Sequence, residues 1–414
     1  MTVLARNRHR RTAVMLAINL LAIVALGGMG YAGYKALRRY EGGKKVDRQF
    51  VPLAPTPVGM LATVDDQDRL TTVTIMVLNP EAQGFKGGSI VSVPVSSDTA
   101  YGLDGQRVPL TQVYAEGGVD GLVSGVESVL SITLDVWEVA TPAEAEPLFT
   151  AITPFTATFP QDVDGGTLTA PELLFPAGDA GLSAAQVVEV LNTRVEGATD
   201  ASRRANVLAL WNAVAAAVGS GRTQVANVEP IITGPFVSPV TDLPDLVGRL
   251  FAGPVAARGV AATPLAPGEA PPGVDAETLD FADAVMVFGA VAPSAMSATR
   301  DALVYRIEAP PGYDAQVKWA VTLVLYFGFN VQSVYISDSV PANTSTEIEI
   351  YDDRSRDQAA SANDLFGEYR FVEPAYLIEG VEVVLRLGTD FLTGTGGVAS
   401  GDTLPTTTTS TTIG

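Results

Sequence analysis

The chain has 414 residues, with 46 acidic against 26 basic side chains, no cysteine and one histidine. The absence of cysteine excludes disulfides, thiolate nucleophiles and cysteine-ligated zinc or iron–sulfur centres. The lone His9 lies in a basic N-terminal tail, so the folded part has no histidine triad, and carboxylates, Arg, Lys, Ser, Thr and Tyr remain for chemistry.

The charge is distributed unevenly along the chain. Residues 1–48 contain ten basic and two acidic side chains and carry +8, so the rest of the chain carries −28 within the total of −20. A folded part this acidic repels phosphate backbones, and we expect no nucleic-acid partner. The basic segment suits contact with an anionic membrane surface.

Residues 12–34 form an uncharged apolar stretch between basic flanks. At about 1.5 Å per residue the stretch reaches about 34 Å, so it predicts a single transmembrane helix, with a cleaved signal peptide as the alternative. Four basic residues precede it and six follow, which by count favours the opposite orientation. Because long domains translocate regardless of charge, we expect residues 1–11 in the cytoplasm and the bulk of the chain outside, on the cell membrane. Residues 35–58 are predicted as a stem and residues 396–414 as a Thr-rich disordered tail.

Residues 59–298 interleave short β-branched runs with helical patterns, which predicts a mixed α/β (α+β) domain with a central sheet flanked by helices. The predicted strands are Met60–Val64, Thr72–Leu78, Ser89–Pro94 and the alternation Ile132, Leu134, Val136. The predicted helices are Gly121–Leu130, Ala184–Leu191 capped by Ser183, and Ala201–Val218.

Residues 253–273 are rich in Pro, Ala and Gly and predict a linker near the end of this domain. Phe281–Val291 is predicted as an apolar strand that returns to the first domain or begins the second. Residues 299–395 predict a smaller C-terminal α/β domain. Its predicted strands are Leu303–Ile307, Val331–Ser337, Glu347–Tyr351 and Val381–Leu387. Its predicted helices are Asp314–Phe327 and Gln358–Phe366.

Several stretches follow one another in a recognisable order: RLTTVTIMVLNP, SIVSVPVSSDT, VYAEGG, VESVLSITLDVWEV and LSAAQVVEVLNTRVEGATDASRRANVL. In this order they resemble the LytR-CpsA-Psr family of cell-envelope proteins. The strand–helix–strand ending in GFNVQSV and the closing GVEVVLRLGTDF resemble the LytR C-terminal domain.

The resemblance implies an extracytoplasmic domain in which a hydrophobic tunnel holds a polyprenyl-phosphate tail, while arginines and Mg²⁺ hold the pyrophosphate. Family members transfer lipid-linked glycopolymers onto peptidoglycan. This is phosphoryl transfer, in which positioning and charge neutralisation carry most of the catalysis. The implied partners are the lipid bilayer, a polyprenyl-linked glycopolymer and peptidoglycan.

The motifs also imply roles for individual charged residues. By position, Arg69, Arg194 and Arg203 are catalytic, Arg204 binds pyrophosphate, and Asp65 or Asp66 binds the metal. The residues alone leave a purely structural role open for these side chains. Arginines that flank a helix commonly pair with nearby acids such as Glu196 and Asp200. An acidic run is commonly a solvated turn.

Four positions depart from the family pattern. Thr71 stands at the metal-binding aspartate, and Val95, Asn192 and Asn206 stand where the family has arginines. Because each arginine at a transferring phosphoryl group stabilises the transition state strongly, we expect binding of a polyprenyl-pyrophosphate-linked glycopolymer without transfer. An active glycopolymer–peptidoglycan phosphotransferase and a non-enzymatic envelope scaffold are the alternatives.

Overall fold

The structure is a computed structural model that describes residues 49–80, 85–101, 107–219, 240–266, 268–298, 302–351 and 353–394. The predicted cytoplasmic tail, transmembrane stretch and C-terminal tail lie outside these ranges. Among the described residues, no helix combines the length and apolar character needed to cross a bilayer. The interleaved strands and helices confirm the mixed α/β class.

The secondary structure is described by the following bounds. The strands are β1 (Gln49–Val51), β2 (Val58–Val64), β3 (Leu70–Leu78), β4 (Gly88–Val93), β5 (Asp98–Tyr101), β6 (Arg107–Pro109), β7 (Val136–Ala140), β8 (Phe155–Phe159), β9 (Val163–Thr167), β10 (Ala170–Phe175), β11 (Gly178–Leu182), β12 (Val255–Gly259), β13 (Ala262–Pro264), β14 (Glu277–Leu279), β15 (Val304–Ala309), β16 (Asn330–Ile336), β17 (Thr346–Ile350), β18 (Tyr369–Val372), β19 (Tyr376–Ile378) and β20 (Val383–Arg386). The helices are α1 (Leu110–Leu130), α2 (Pro142–Phe149), α3 (Ala184–Asn192), α4 (Ala201–Val218), α5 (Leu243–Leu250), α6 (Phe281–Val291), α7 (Asp314–Tyr326), α8 (Asp353–Asn363) and α9 (Thr389–Thr393).

A five-stranded central sheet has the order β12-β4-β3-β2-β7. Strands β2, β3 and β4 pair antiparallel, while β7 and β12 add parallel edges. Successive residues of β2 face opposite sides: Met60 and Ala62 join one hydrophobic cluster and Leu61 joins another. Since both faces are covered, the central strands are apolar along their whole length, as a sheet between helices requires.

Helices cover the two faces of the central sheet differently. Helices α2, α3, α4 and α5 pack on one face, where Phe149, Trp211 and Phe251 form an aromatic group. Helix α1 covers the other face, and α6 packs against α1 and against β16. Their cluster continues without a break into the C-terminal sheet through residues such as Phe288 and Val334.

The C-terminal sheet has the order β16-β15-β20-β17-β18, with β17 antiparallel to β20 and the other pairs parallel. One face is apolar, and the other carries a buried charged network around Arg386. The Arg386 guanidinium donates to Glu308 at 3.1 Å, to Glu347 at 2.5 Å and to Glu349 at 3.4 Å. Burial raises the pKa of Glu349, although Arg386 offsets part of that effect.

The structure differs from the predicted elements at several places. Helix α1 begins at Leu110, eleven residues before the predicted start, and is kinked at Gly118, where φ is 59°. The predicted strand over residues 132–136 is replaced by β7, which begins at Val136. Phe281–Val291, predicted as a strand, is helix α6, because its apolar residues are buried on several sides rather than in alternation.

Two segments predicted to be irregular belong to the folded core. Within the predicted linker, Val255–Gly259 forms β12 and pairs with β4, because its small side chains fit the sheet edge. At the end of the predicted stem, Pro55 and Thr56 are buried, and Thr56 Oγ1 lies 2.8 Å from Ser294 Oγ. The predicted domain boundary near residue 298 stays a prediction.

Candidate functional site

A cavity of about 380 Å³ lies at one end of the central sheet. Its walls come from the turn between β2 and β3, the residues after β4, the first turns of α1 and the segment between α3 and α4. The lining includes Arg69, Thr71, Val95, Arg194 and Arg203. The structure therefore brings together three of the four arginines that the motifs single out.

Two of the departures from the family pattern form a neutral pair at the cavity wall, where Thr71 lines the cavity and Asn192 lies beside it. The buried Thr71 hydroxyl can donate to Asn192 Oδ1 at 2.7 Å or to the Thr63 carbonyl oxygen at 2.9 Å. Asn192 Nδ2 is buried and has no acceptor within the described ranges. A neutral hydrogen bond thus stands where the resemblance implies an aspartate beside an arginine.

The Arg203 guanidinium is committed to backbone carbonyls. It donates to Thr71 O at 2.5 Å, to Leu191 O at 2.5 Å and to Val190 O at 3.2 Å. Two of these carbonyls belong to the last turn of α3, which has no intrahelical donors for them. Burial lowers the pKa of Arg203 to about 10, and nearby Arg194 adds to this effect. Arg203 therefore fastens α3 and α4 to β3.

Arg194 is the cation that remains available in the cavity. Its Nε is buried without an acceptor, and its guanidinium has no ion pair or hydrogen bond to the described part of the chain. Arg69 lies at the rim, where its Nε and Nη2 both lie 2.8 Å from Asp65 Oδ2. Arg194 is half-buried, and a guanidinium in a cavity without a protein partner attracts an anion, so this geometry favours an anion beside Arg194.

Arg204 is drawn away from the cavity by a buried carboxylate. Its Nη2 lies 2.7 Å from Glu277 Oε1. The Ser96 hydroxyl donates to the other Glu277 oxygen at 2.5 Å, and Glu277 N–H donates to the Ser96 carbonyl at 2.8 Å. Arg204 is absent from the cavity lining, so its position differs from that expected of a pyrophosphate ligand.

An acidic wall faces the arginines. Asp200 lines the cavity, and its backbone N–H donates to Asp275 Oδ2 at 2.6 Å. Burial of the Asp200 carboxyl raises its pKa to about 6, although Arg203 and Arg204 offset part of that rise. With Asp68, Asp200 and Asp275 against three arginines, the lining has little net charge.

The residues predicted to bind Mg²⁺ do not fit a metal site. Burial acts to raise the pKa of Asp65, but the N–H groups of Arg69 and Gln67 and the Arg69 guanidinium outweigh it and hold the pKa below its usual range. Both Asp65 oxygens are therefore in use, and Asp66 is exposed. Among the residues that the structure describes, no three acidic or histidine side chains converge as metal ligands.

The structure adds cavity residues that the motifs did not single out. Asp68, at a positive φ of 59°, accepts a hydrogen bond from the Tyr114 hydroxyl at 2.7 Å. Burial and this bond raise the pKa of Tyr114 to about 12. Asp275 also lines the cavity and follows the segment that was predicted as a linker, and its alternation with apolar Val274 and Ala276 was the one sequence signal for it.

No family model matches the sequence, and no curated protein matches it. Solved structures do resemble it. TagT bound to LIIa-WTA is 17% identical over 56% of this chain and 88% of that chain, with a TM-score of 0.40. The LytR-CPS2A-psr family protein YwtF (TagT) with bound octaprenyl pyrophosphate lipid is 17% identical over 56% and 86%, with a TM-score of 0.36.

B. subtilis TagV is 14% identical over 56% of this chain and 93% of that chain, with a TM-score of 0.37. These structural neighbours are LytR-CPS2A-psr family proteins, the family that the motifs of this chain resemble.

Proposed function

We propose that the cavity binds the pyrophosphate of a polyprenyl-linked glycopolymer in the cell envelope without catalysing its transfer. The observation that carries the proposal is Arg194, whose guanidinium lines the cavity with no partner in the described ranges. A planar guanidinium matches two phosphate oxygens, and the Arg194 side chain is half-buried in the cavity wall. Arg69 at the rim adds a second cation once it leaves Asp65.

The absence of transfer in the proposal follows from the same contacts. Phosphoryl transfer depends on several cations that neutralise the charge of the transition state. Of the four arginines expected there, Arg203 gives its terminal nitrogens to backbone carbonyls and Arg204 is held by Glu277. Magnesium enters the proposal only as an ion carried by the pyrophosphate, whose oxygens are the hard ligands that Mg²⁺ prefers.

The location belongs to the proposal as well. Residues 12–34 would anchor the chain as a single-pass membrane protein with residues 1–11 in the cytoplasm, supported by the uncharged stretch and its basic flanks. The cavity would then face the outside, where lipid-linked glycopolymer and peptidoglycan meet.

One observation favours an active phosphotransferase as the second candidate. Asp200 lies in the cavity wall, and its raised pKa of about 6 is close to that of a general base working near neutral pH. In that case a peptidoglycan hydroxyl attacks the phosphorus that bears the glycan and its proton passes to Asp200. The bond from this phosphorus to the bridging oxygen breaks, and polyprenyl phosphate leaves.

The test titrates octaprenyl pyrophosphate into the full-length chain in detergent micelles, with and without Mg²⁺, and follows inorganic phosphate in the same samples. The matched variants are Arg194→Ala and Arg258→Ala, because Arg258 lies on edge strand β12 and does not line the cavity. We expect binding that Arg194→Ala weakens at least about tenfold and Arg258→Ala leaves unchanged.

Each outcome separates the candidate functions. Bound lipid with phosphate at the background level supports binding without transfer. Release of inorganic phosphate above background, with water in place of the acceptor hydroxyl and octaprenyl phosphate as the other product, supports the phosphotransferase. Failure of the wild-type chain to bind the lipid leaves the envelope scaffold.

A further inference from the structure

A row of four aromatic rings runs from the core of the C-terminal sheet to its surface. At the inner end, Tyr305 on β15 is 1% exposed, and Phe329 stacks on it with the ring centroids 5.5 Å apart. Phe327 lies 6.4 Å from Phe329, and Tyr326, the last residue of α7, lies 5.6 Å from Phe327. Tyr326 is 57% exposed. The row therefore supports an exposed aromatic ring from the core outwards.

The exposed part of this row is broader than one ring. Trp319 precedes Tyr326 by seven residues, so both lie along one stripe of α7. Trp319, Phe327 and Phe329 are half-buried. We call Trp319, Tyr326, Phe327 and Phe329 the aromatic end. Large apolar side chains that stay partly exposed beside one another mark a contact surface.

The aromatic end lies where the N-terminal part of the chain enters the C-terminal sheet. Strands β15, β16 and β20 all begin at this end, and Phe329 directly precedes β16. In the turn before β20, the Glu379 N–H donates to the Val51 carbonyl at 2.9 Å, and Glu379 Oε2 accepts from the Leu53 N–H at 3.2 Å. Val51 is the residue from which the chain leads back to the apolar stretch of residues 12–34.

We propose that the aromatic end rests on the interface of the lipid bilayer, as a second membrane contact besides the apolar stretch of residues 12–34. This inference rests on the membrane location in the proposed function. Residues 35–50 reach at most about 55 Å when fully extended, which keeps Val51 near the bilayer. Trp and Tyr rings favour the membrane interface, because one side of the ring is apolar and its polar tip stays in contact with water.

The charges at this end favour a lipid surface over a sugar. The exposed Glu379 and Glu382 each already accept a backbone N–H, from Leu53 and from Val304, so they are engaged by the fold rather than aimed at sugar hydroxyls. Both repel anionic headgroups, but residues 35–48 carry six basic against two acidic side chains and offset this repulsion. The contact should therefore depend on aromatic burial and persist without anionic lipid.

The test uses spin labels, because a chain without cysteine accepts one nitroxide at any introduced cysteine. The full-length chain is placed in vesicles of phosphatidylcholine, with or without phosphatidylglycerol, and flotation verifies its insertion. Power saturation then compares collisions of the label with oxygen, which concentrates in the acyl region, and with a water-soluble nickel chelate. The labelled variants are Tyr326→Cys and Thr322→Cys. The second keeps all the rings and lies one turn before Tyr326 on α7.

The matched control is Leu365→Cys. Leu365 is an exposed apolar residue at the opposite end of the same sheet, because its neighbour Phe366 accepts a hydrogen bond from Thr346, where β17 begins antiparallel to β20. We expect the oxygen-to-nickel collision ratio at positions 326 and 322 to exceed the ratio at position 365 by at least about fivefold in both lipid mixtures.

Equal ratios at positions 326 and 365 overturn the membrane contact and leave the proposed function standing. Failure of the chain to float with the vesicles overturns the proposed membrane location and this inference with it. A label at position 326 that stays open to the nickel chelate, but is immobilised by added peptidoglycan fragments, overturns the lipid assignment in favour of a glycan surface.

Discussion

The stability of the Arg203→Ala variant tests whether Arg203 has a structural role rather than a catalytic one. Its guanidinium makes three hydrogen bonds to backbone carbonyls, at 2.5, 2.5 and 3.2 Å. With about 1–1.5 kcal/mol for each such bond, Arg203→Ala should lower the free energy of unfolding by about 3–5 kcal/mol. Arg203→Lys should keep less than half of this contribution, because one ammonium cannot match the fork of donors.

The matched variant is Arg194→Ala, which removes an arginine with no hydrogen-bond acceptor in the described part of the chain. It should change the free energy of unfolding by less than about 1 kcal/mol. Urea unfolding of the full-length chain, followed by tryptophan fluorescence, measures both values, since Trp211 is fully buried on α4. A loss below about 1 kcal/mol for Arg203→Ala, or an equal loss for Arg194→Ala, would refute the structural role of Arg203.

Three further outcomes follow from the same contacts. The pKa of Asp200 is about 6 in the folded state, against a reference value of 3.8, so the folded chain binds this proton more tightly. Above pH 6 the ionised carboxylate therefore destabilises the fold by up to about 3 kcal/mol. Asp200→Asn should therefore be more stable than the wild type at pH 7 and equal to it at pH 4; equal stability at both pH values contradicts this. Thr71→Asp should lower the free energy of unfolding by about 3–5 kcal/mol, because it buries an unpaired carboxylate. Adding Asn192→Arg should restore much of this stability and raise Mg²⁺-dependent phosphate release. Urea unfolding measures the first effect and a phosphate assay the second. Arg386→Met should lose at least about 3 kcal/mol at pH 7, with a smaller loss at pH 4, because three buried carboxylates lose their shared cation.

Local patterns predicted the strands and helices whose signals are strong. The helix Ala201–Val218 is observed with the predicted bounds, and Ser183 caps α3 through its hydroxyl as expected. Residues 255–259 were missed because Ala and Gly have weak strand propensity, and only pairing with β4 makes them a strand. Phe281–Val291 was assigned to the wrong element because a short apolar run without alternation does not distinguish a buried helix from a strand.

The motifs predicted which residues line the cavity, but not which of its arginines are already bonded to other parts of the fold. Arg69, Arg194 and Arg203 line it together, as their order in the sequence implied. Their partners are distant in the chain: Arg203 contacts Thr71, and Arg204 contacts Glu277. Such contacts depend on tertiary packing, so spacing along the sequence could not distinguish an arginine free for phosphate from one held by the fold.

The most direct test of the central claim is the affinity of the full-length chain for octaprenyl pyrophosphate, measured for the wild type, Arg194→Ala and Arg258→Ala. If Arg194 is the cation that receives the pyrophosphate, Arg194→Ala weakens binding at least about tenfold and Arg258→Ala has no effect. Equal affinity of the wild type and Arg194→Ala would contradict the account.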